Sequence, residues 1–409
     1  MRSSHAVMAP TSQPNVPDAA SGFVDSSRSA HAQRLHAFDV ARCLAMLLMM
    51  QGHVLDALVR TSELDTAIQP WSTWHAIRGI TAPIFLMVSG IVHVFAFKRD
   101  ERGYMRQDLV ERRLRWAFTI IGLGYLLVFP ANRVFDLPFV PADAWKMSTA
   151  VNILQLTGVT LILFVVTMQH ATSARQMGQR AIAVAACILA AAPLAPMIPW
   201  TTVVPLWVAA YFTTATGSLF PMLPWSAYLF LGVAIGAYLH GQTVEARLSI
   251  VRTHTLLLGA AAVGVAYLVQ YGAGLVGISA DAFESPMSSI LVIRRTGFVL
   301  MIFSASAVIT AVLPLWLRSF AVTVSGKSLW IYAVHLVLLF GTPWFNGVGR
   351  MYFRSLSLQQ GIIGVVVISI LTVGVAYLVD LAQRRPWPLS VKRWWNGLLI
   401  AVLMYLLFV

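Results

Sequence analysis

Two stretches near the amino terminus decide the fold: R34-LHAFDVARCLAMLLMMQGHVLDAL-58 and W74-HAIRGITAPIFLMVSGIVHVFAFK-98. Each holds an apolar run of about twenty residues, the length a helix rising 1.5 Å per residue needs to cross a ~30 Å hydrocarbon core. Working outward, the same pattern recurs along the chain. Spans are expected near 37–59, 73–97, 114–130, 150–169, 180–199, 222–240, 253–275, 295–317, 327–345, 359–382 and 394–409. The fold class is therefore all-α: a polytopic membrane helical bundle of about eleven transmembrane helices, ten to twelve by this criterion. Residues 200–221 are apolar and uncharged but broken by Pro205, Gly217 and Pro221, so a re-entrant or interfacial segment is the alternative to a span there.

Composition agrees. Of 409 residues 58% are hydrophobic and only 11% charged, where a soluble domain carries about 25% charged residues. Such a chain lacks the polar surface that water requires. The formal net charge is +13, but the basic residues lie in short loops between apolar runs, which speaks for membrane topology and against nucleic acid. Cys43 and Cys187 both fall within predicted spans, and two thiols so placed support neither a disulfide framework nor a zinc site. Residues 1–33 are rich in Ser, Ala and Pro, with no apolar core for a signal peptide, and read as a disordered cytoplasmic tail. Residues 34–409 form one transmembrane domain.

Most of the 29 basic residues fall on one side of the alternating spans, densest in the 98–115 loop. Arg60, Arg78, Arg133, Lys146, Arg294, Arg295, Arg350 and Arg354 fall on the other. The positive-inside rule then puts the amino terminus in the cytoplasm and the carboxyl terminus outside.

Ionisable groups inside spans are costly and mark functional candidates. Asp39 and Arg42 are one helical turn apart at the inner boundary; they make either a structural ion pair or a face presenting Arg42 to an anionic ligand. His53 lies fourteen residues beyond Asp39, about 21 Å along a helix, towards the outer side. Asp56 follows at i+3, where a carboxylate can orient the imidazole or stabilise its charged form; a packed, hydrogen-bonded helix-end histidine is the simpler reading. His75 opens the second span, so the topology returns it to the outer side, with Arg78 one turn further in disfavouring the imidazolium. Beside Trp71 and Trp74 it also reads as an interfacial anchor, but His53 and His75 are expected to meet at one depth from adjacent helices. His335 sits near mid-membrane and must face protein, water or a ligand, whereas His93, near the basic loop, reads as structural. Arg112 and Arg113 belong to that loop, primarily a topology determinant; their forked guanidinium groups also suit phosphate. The signatures of nucleotide-binding loops, serine hydrolases and zinc proteases are missing from the sequence.

At these residues the chain resembles the multi-spanning transmembrane acyltransferases, a superfamily that includes the acyltransferase-3 and heparan-alpha-glucosaminide N-acetyltransferase-like families. The opening FDVARCLAMLLMMQGH (38–53) is similar to their first span, and HAIRGITAPIFLMVSG (75–90) to the second-span motif of the glucosaminide branch. VNILQLTGVTLI (151–162), LPWSAYLFLGVAIG (223–236) and SLWIYAVHLVLL (328–339) resemble later helices in the right order, and together the matches cover roughly a quarter of the chain. Two departures stand out: Arg42-Cys43 replaces the usual Arg-Gly, and the polar residue ending span one varies between branches, so His53 leaves the branch open.

The resemblance implies that His75 matches the active-site histidine of the glucosaminide branch and His53 the catalytic histidine of acyltransferase-3. It implies acyl-CoA, acetyl-CoA in the simplest case, supplied from the cytosol as co-substrate, with a sugar hydroxyl or amine as acceptor on the far side of the inner membrane. On this expectation Asp39, Arg42, Arg112, Arg113 and His335 contact acyl-CoA or substrate, while His75, His53, Asp56 and Arg78 serve the chemistry, Arg78 steadying charge on the thioester oxygen. No metal and no bound cofactor are expected. Membrane lipid, acyl-CoA and a carbohydrate acceptor are the expected partners, nucleic acid is not, and a homo-oligomer is compatible. The residues alone also admit a proton-coupled secondary transporter or a lipid-linked flippase, since buried His, Asp and Arg serve proton relays as well.

Overall fold

The computed structural model describes residues 35–408, apart from the side chains of Leu389 and Lys392. The tail expected over 1–33 lies outside the described residues. Every regular element among those described is helical. In chain order the principal helices are α1 (His36–Leu58), α2 (Trp71–Arg78), α3 (Thr81–Phe95), α4 (Gln107–Leu127), α5 (Ala142–Thr149), α6 (Ile153–Met168) and α7 (Ala174–Ala191). They are followed by α8 (Ala227–His240), α9 (Val244–Leu275), α10 (Ser289–Val312), α11 (Leu315–Gly326), α12 (Ser328–Phe340), α13 (Leu358–Arg384) and α14 (Leu389–Phe408).

Seven helices are long and apolar enough to cross a membrane, and nine if the bent pairs α5–α6 and α11–α12 each count as one span. The chain is thus a multi-pass membrane protein, but the count of eleven is not reached on that criterion. The two remaining expected spans do coincide with helices. The first turns of α4 carry Asp108, Glu111, Arg112, Arg113 and Arg115, which leaves too short an apolar run. The apolar part of α14, Arg393–Phe408, is also short. Between 199 and 221 the chain makes only the four-residue helices Trp200–Val203 and Leu206–Ala209. Pro199, Pro205 and Pro221 stand immediately before short helices; each withholds a backbone N–H, so no long helix can run through them.

Helix starts are written in the sequence. Ser173, Thr243 and Ser288 accept hydrogen bonds from backbone N–H groups in the first turns of α7, α9 and α10. Ser357 and Gln360 form a reciprocal capping box on α13. Two helix ends are closed by buried arginines. Arg113 donates to the His93 carbonyl at 3.0 Å near the end of α3, and Arg247 to the Leu239 carbonyl at 2.9 Å at the end of α8. Cations there satisfy orphan carbonyls and match the helix dipole.

The centre of the bundle is α1, which packs against α3, α10, α11, α12 and α13. In its most apolar stretch 61% of residues are buried, against 11% for α9 and 17% for α13, so the latter two present most of their surface to lipid. The tightest crossing joins α3 to α8. A Cβ added at Gly90 would run into the Leu229 carbonyl, and one at Gly232 into that of Met87. Small residues let the two backbones touch, the usual means of helix association where lipid removes the hydrophobic drive. This crossing fixes the face of α3 that turns towards α1.

Candidate active site

Arg42, Met46, Met49 and His53 recur every three or four residues and so form one stripe along α1. The stripe is one wall of a cavity of about 240 Å³. Thr81, Phe85 and Ser89 of α3 supply a second wall at the same helical spacing; Trp116 and Ile120 of α4, Thr157 of α6 and Tyr332 of α12 complete it. From Arg42 to His53 the cavity follows eleven residues of helix, roughly 16 Å. It carries a guanidinium at one end, an imidazole at the other and mostly apolar walls between.

At the far end two imidazoles meet. His53 Nδ1 lies 3.0 Å from His335 Nε2. The ring centroids are 5.3 Å apart and the planes differ by 21°. That separation is the N···N distance plus two ring radii, so the rings meet edge to edge in nearly one plane, as in a linear hydrogen bond. His335 Nδ1 is 2.9 Å from the carbonyl of Ile331 one turn back along α12. His335 is fully buried while His53 is half-buried and lines the cavity. Tyr332 packs edge-on against His335 and Phe340 edge-on against His53, which confines both rings.

The carboxylate that sequence spacing placed near His53 has another partner. Asp56 receives a two-pronged bond from Arg78, Nη1–Oδ1 at 2.9 Å and Nη2–Oδ2 at 2.5 Å. The geometry of a planar fork on a carboxylate explains the pairing better than i+3 spacing on one helix does. Arg78 also sits 4.3 Å over the Trp74 ring, and Trp74 Nε1 donates to Gln51 at 3.0 Å. A Cβ at Gly52 would occupy the space of Arg78 Nε and Cζ. The residue before His53 is therefore a glycine so that the guanidinium can cross α1.

The remaining candidates are dispersed. His75, on α2, is exposed, does not line the cavity and makes no side-chain hydrogen bond or ion pair among the described residues. The expected meeting of His53 with His75 is thus replaced by that of His53 with His335. Asp39 is buried, with His36 3.7 Å away. Arg113 is buried as the cap of α3, beneath Phe97 and Phe164, and Arg112 is exposed; neither lines the cavity. His93 stacks on Phe164. Sequence reasoning passed over Thr81, Ser89 and Tyr332. Their signal was available: hydroxyls at i and i+8 on an apolar helix, and a tyrosine one turn before the buried histidine, on its face.

A multi-pass helical membrane protein with a paired histidine closing an internal, arginine-headed cavity is the class that fold and site define. The catalytic-domain model of heparan-alpha-glucosaminide N-acetyltransferase matches residues 34–272, more than half of the chain, and the chain belongs to that family. Transferase activity in a membrane follows from this membership at the coarse level. Arg42, His53, His75 and Arg78 fall inside the matched residues, whereas His335 lies beyond them. No curated protein matches the chain.

Proposed function

We propose that the protein is an acyl-CoA-dependent acyltransferase. It takes an acyl group, acetyl in the simplest case, from cytosolic acyl-CoA and delivers it to a hydroxyl or amine of a sugar on the outer side of the inner membrane. The observation that carries this reading is the single cavity running along α1 from Arg42 to His53. A guanidinium suits the phosphates of the donor. Walls such as Met46, Met49 and Phe85 suit its uncharged pantetheine arm, and an imidazole suits a group that must both accept and return a proton near neutrality. Orientation rests on the distribution of Lys and Arg, which favours the Arg42 end as cytosolic.

In this mechanism the acceptor oxygen or nitrogen attacks the thioester carbonyl carbon while His53 takes its proton. As the C–S bond breaks, the same proton passes to the leaving sulfur, so the imidazole ends as it began. Purified protein in liposomes, given radiolabelled acetyl-CoA and a surface oligosaccharide, should release CoA and label the sugar one for one. His53→Ala should lower that rate by about two orders of magnitude or more. Transfer at the normal rate by this variant, or solute movement without CoA release, would overturn the reading, the latter in favour of a transporter.

A further inference from the structure

Building on the acyl-transfer reading, we propose that His335 is a positioning residue that fixes which nitrogen of His53 reacts. The argument needs only the hydrogen-bond inventory of two rings. A backbone carbonyl accepts and cannot donate, so at 2.9 Å from the Ile331 oxygen His335 Nδ1 must carry a proton. A neutral imidazole has one N–H, so His335 Nε2 holds a lone pair. The atom 3.0 Å from that lone pair, His53 Nδ1, must then be the donor. With its proton on Nδ1, neutral His53 carries its own lone pair on Nε2. Of the two rings only that of His53 borders the cavity. The carbonyl of one helical turn thus sets the protonation of a catalytic nitrogen two rings away.

The chain of bonds stops where it starts. His335 is fully buried, and its second nitrogen is committed to a helix carbonyl that cannot take a proton onward. The pair therefore orients and polarises without conducting protons across the bundle, unlike a transporter's relay. In the transfer step the acceptor's proton moves to His53 Nε2 as the new C–O or C–N bond forms. The transient imidazolium keeps its Nδ1–H on His335 Nε2, and the Nε2 proton leaves with the thiolate sulfur. The Nδ1 proton never moves. An acidic partner would hold the imidazolium more tightly; a neutral histidine orients it at lower electrostatic cost in a site walled by Tyr332 and Phe340.

Two readouts test this separately from acyl transfer itself. Nitrogen NMR of histidine-labelled, detergent-solubilised protein at neutral pH should show His53 protonated at Nδ1, and His335→Phe should shift it towards the Nε2–H form. In turnover, His335→Phe, which fills the space without an acceptor, should lower kcat about a hundredfold with KM for acetyl-CoA within about threefold, as expected when a histidine base is held in the wrong tautomer. His335→Gln, whose amide oxygen can still accept from Nδ1, should recover kcat to within about tenfold of the wild type. Wild-type His53 protonated at Nε2, or equal kcat for the Phe variant and the wild type, overturns the assignment. The spectrum requires no acceptor sugar, so a protein that transfers no acyl group would refute the proposed function while leaving the tautomer result intact.

Discussion

Arg42, His53 and His335 stand out in the sequence because a charged or ionisable group among apolar neighbours is conspicuous. Which of them touch does not stand out, because His53 and His335 are separated by 282 residues. Local spacing offered Asp56 as a partner for His53 and the topology offered His75, and only folding shows that Arg78 claims the carboxylate. Gly52 is the residue that makes this arrangement possible. Gly52→Ala should push Arg78 off Asp56 and Trp74. The cost in stability is expected to be modest, about 1–2 kcal/mol, because the Asp56 side chain is 46% exposed and partly screens the pair, while Arg78 is only 14% exposed and loses its charged partner. Arg78 does not itself line the cavity and both its Nη atoms are held by Asp56. It can therefore steady charge on the thioester oxygen only by swinging off that carboxylate; if it does, the variant's acyl-transfer rate should drop at least about tenfold. A thermal melt paired with initial rates separates the two effects, and an unchanged rate would remove Arg78 from the chemistry.

At the level of elements, hydropathy recovers most helices to within a few residues, because length and apolar content are what a bilayer reads. It also flags the proline-broken 200–221 segment. It fares worse where a helix is bent or half charged. The 73° bend between α11 and α12 at Lys327 lies just before a continuous apolar run, and the charged start of α4 shortens its span. Helix pairing is less legible still, since apolar stripes look alike from sequence, yet the α3–α8 crossing depends on two specific glycines. Gly232→Val should force those backbones apart at a cost of about 1–3 kcal/mol. It should also displace the α3 wall that carries Phe85 and Ser89. A lower melting temperature in detergent accompanied by reduced turnover is expected, and a variant as stable as the parent would contradict the packing described here.

For the molecule as a whole, the basic-residue asymmetry makes a prediction about sidedness. In a background lacking Cys43 and Cys187, a cysteine at Glu101 should react with a membrane-impermeant maleimide only from the cytosolic side. One at Ala142 should react only from the opposite side. The reverse pattern would invert the donor and acceptor faces while leaving the cavity itself intact.

Because both ends of that cavity are borne by a single rigid rod, α1 acts as a gauge. Eleven residues set a span of roughly 16 Å, and each residue turns the rod by about 100°. Removing or adding one residue between positions 42 and 53 would swing one terminus out of line with the other. Only a change close to a whole turn would keep them facing the same passage. Any molecule gripped at both termini must therefore be long and slender, and one too short to span the rod would meet the imidazole without reaching the guanidinium.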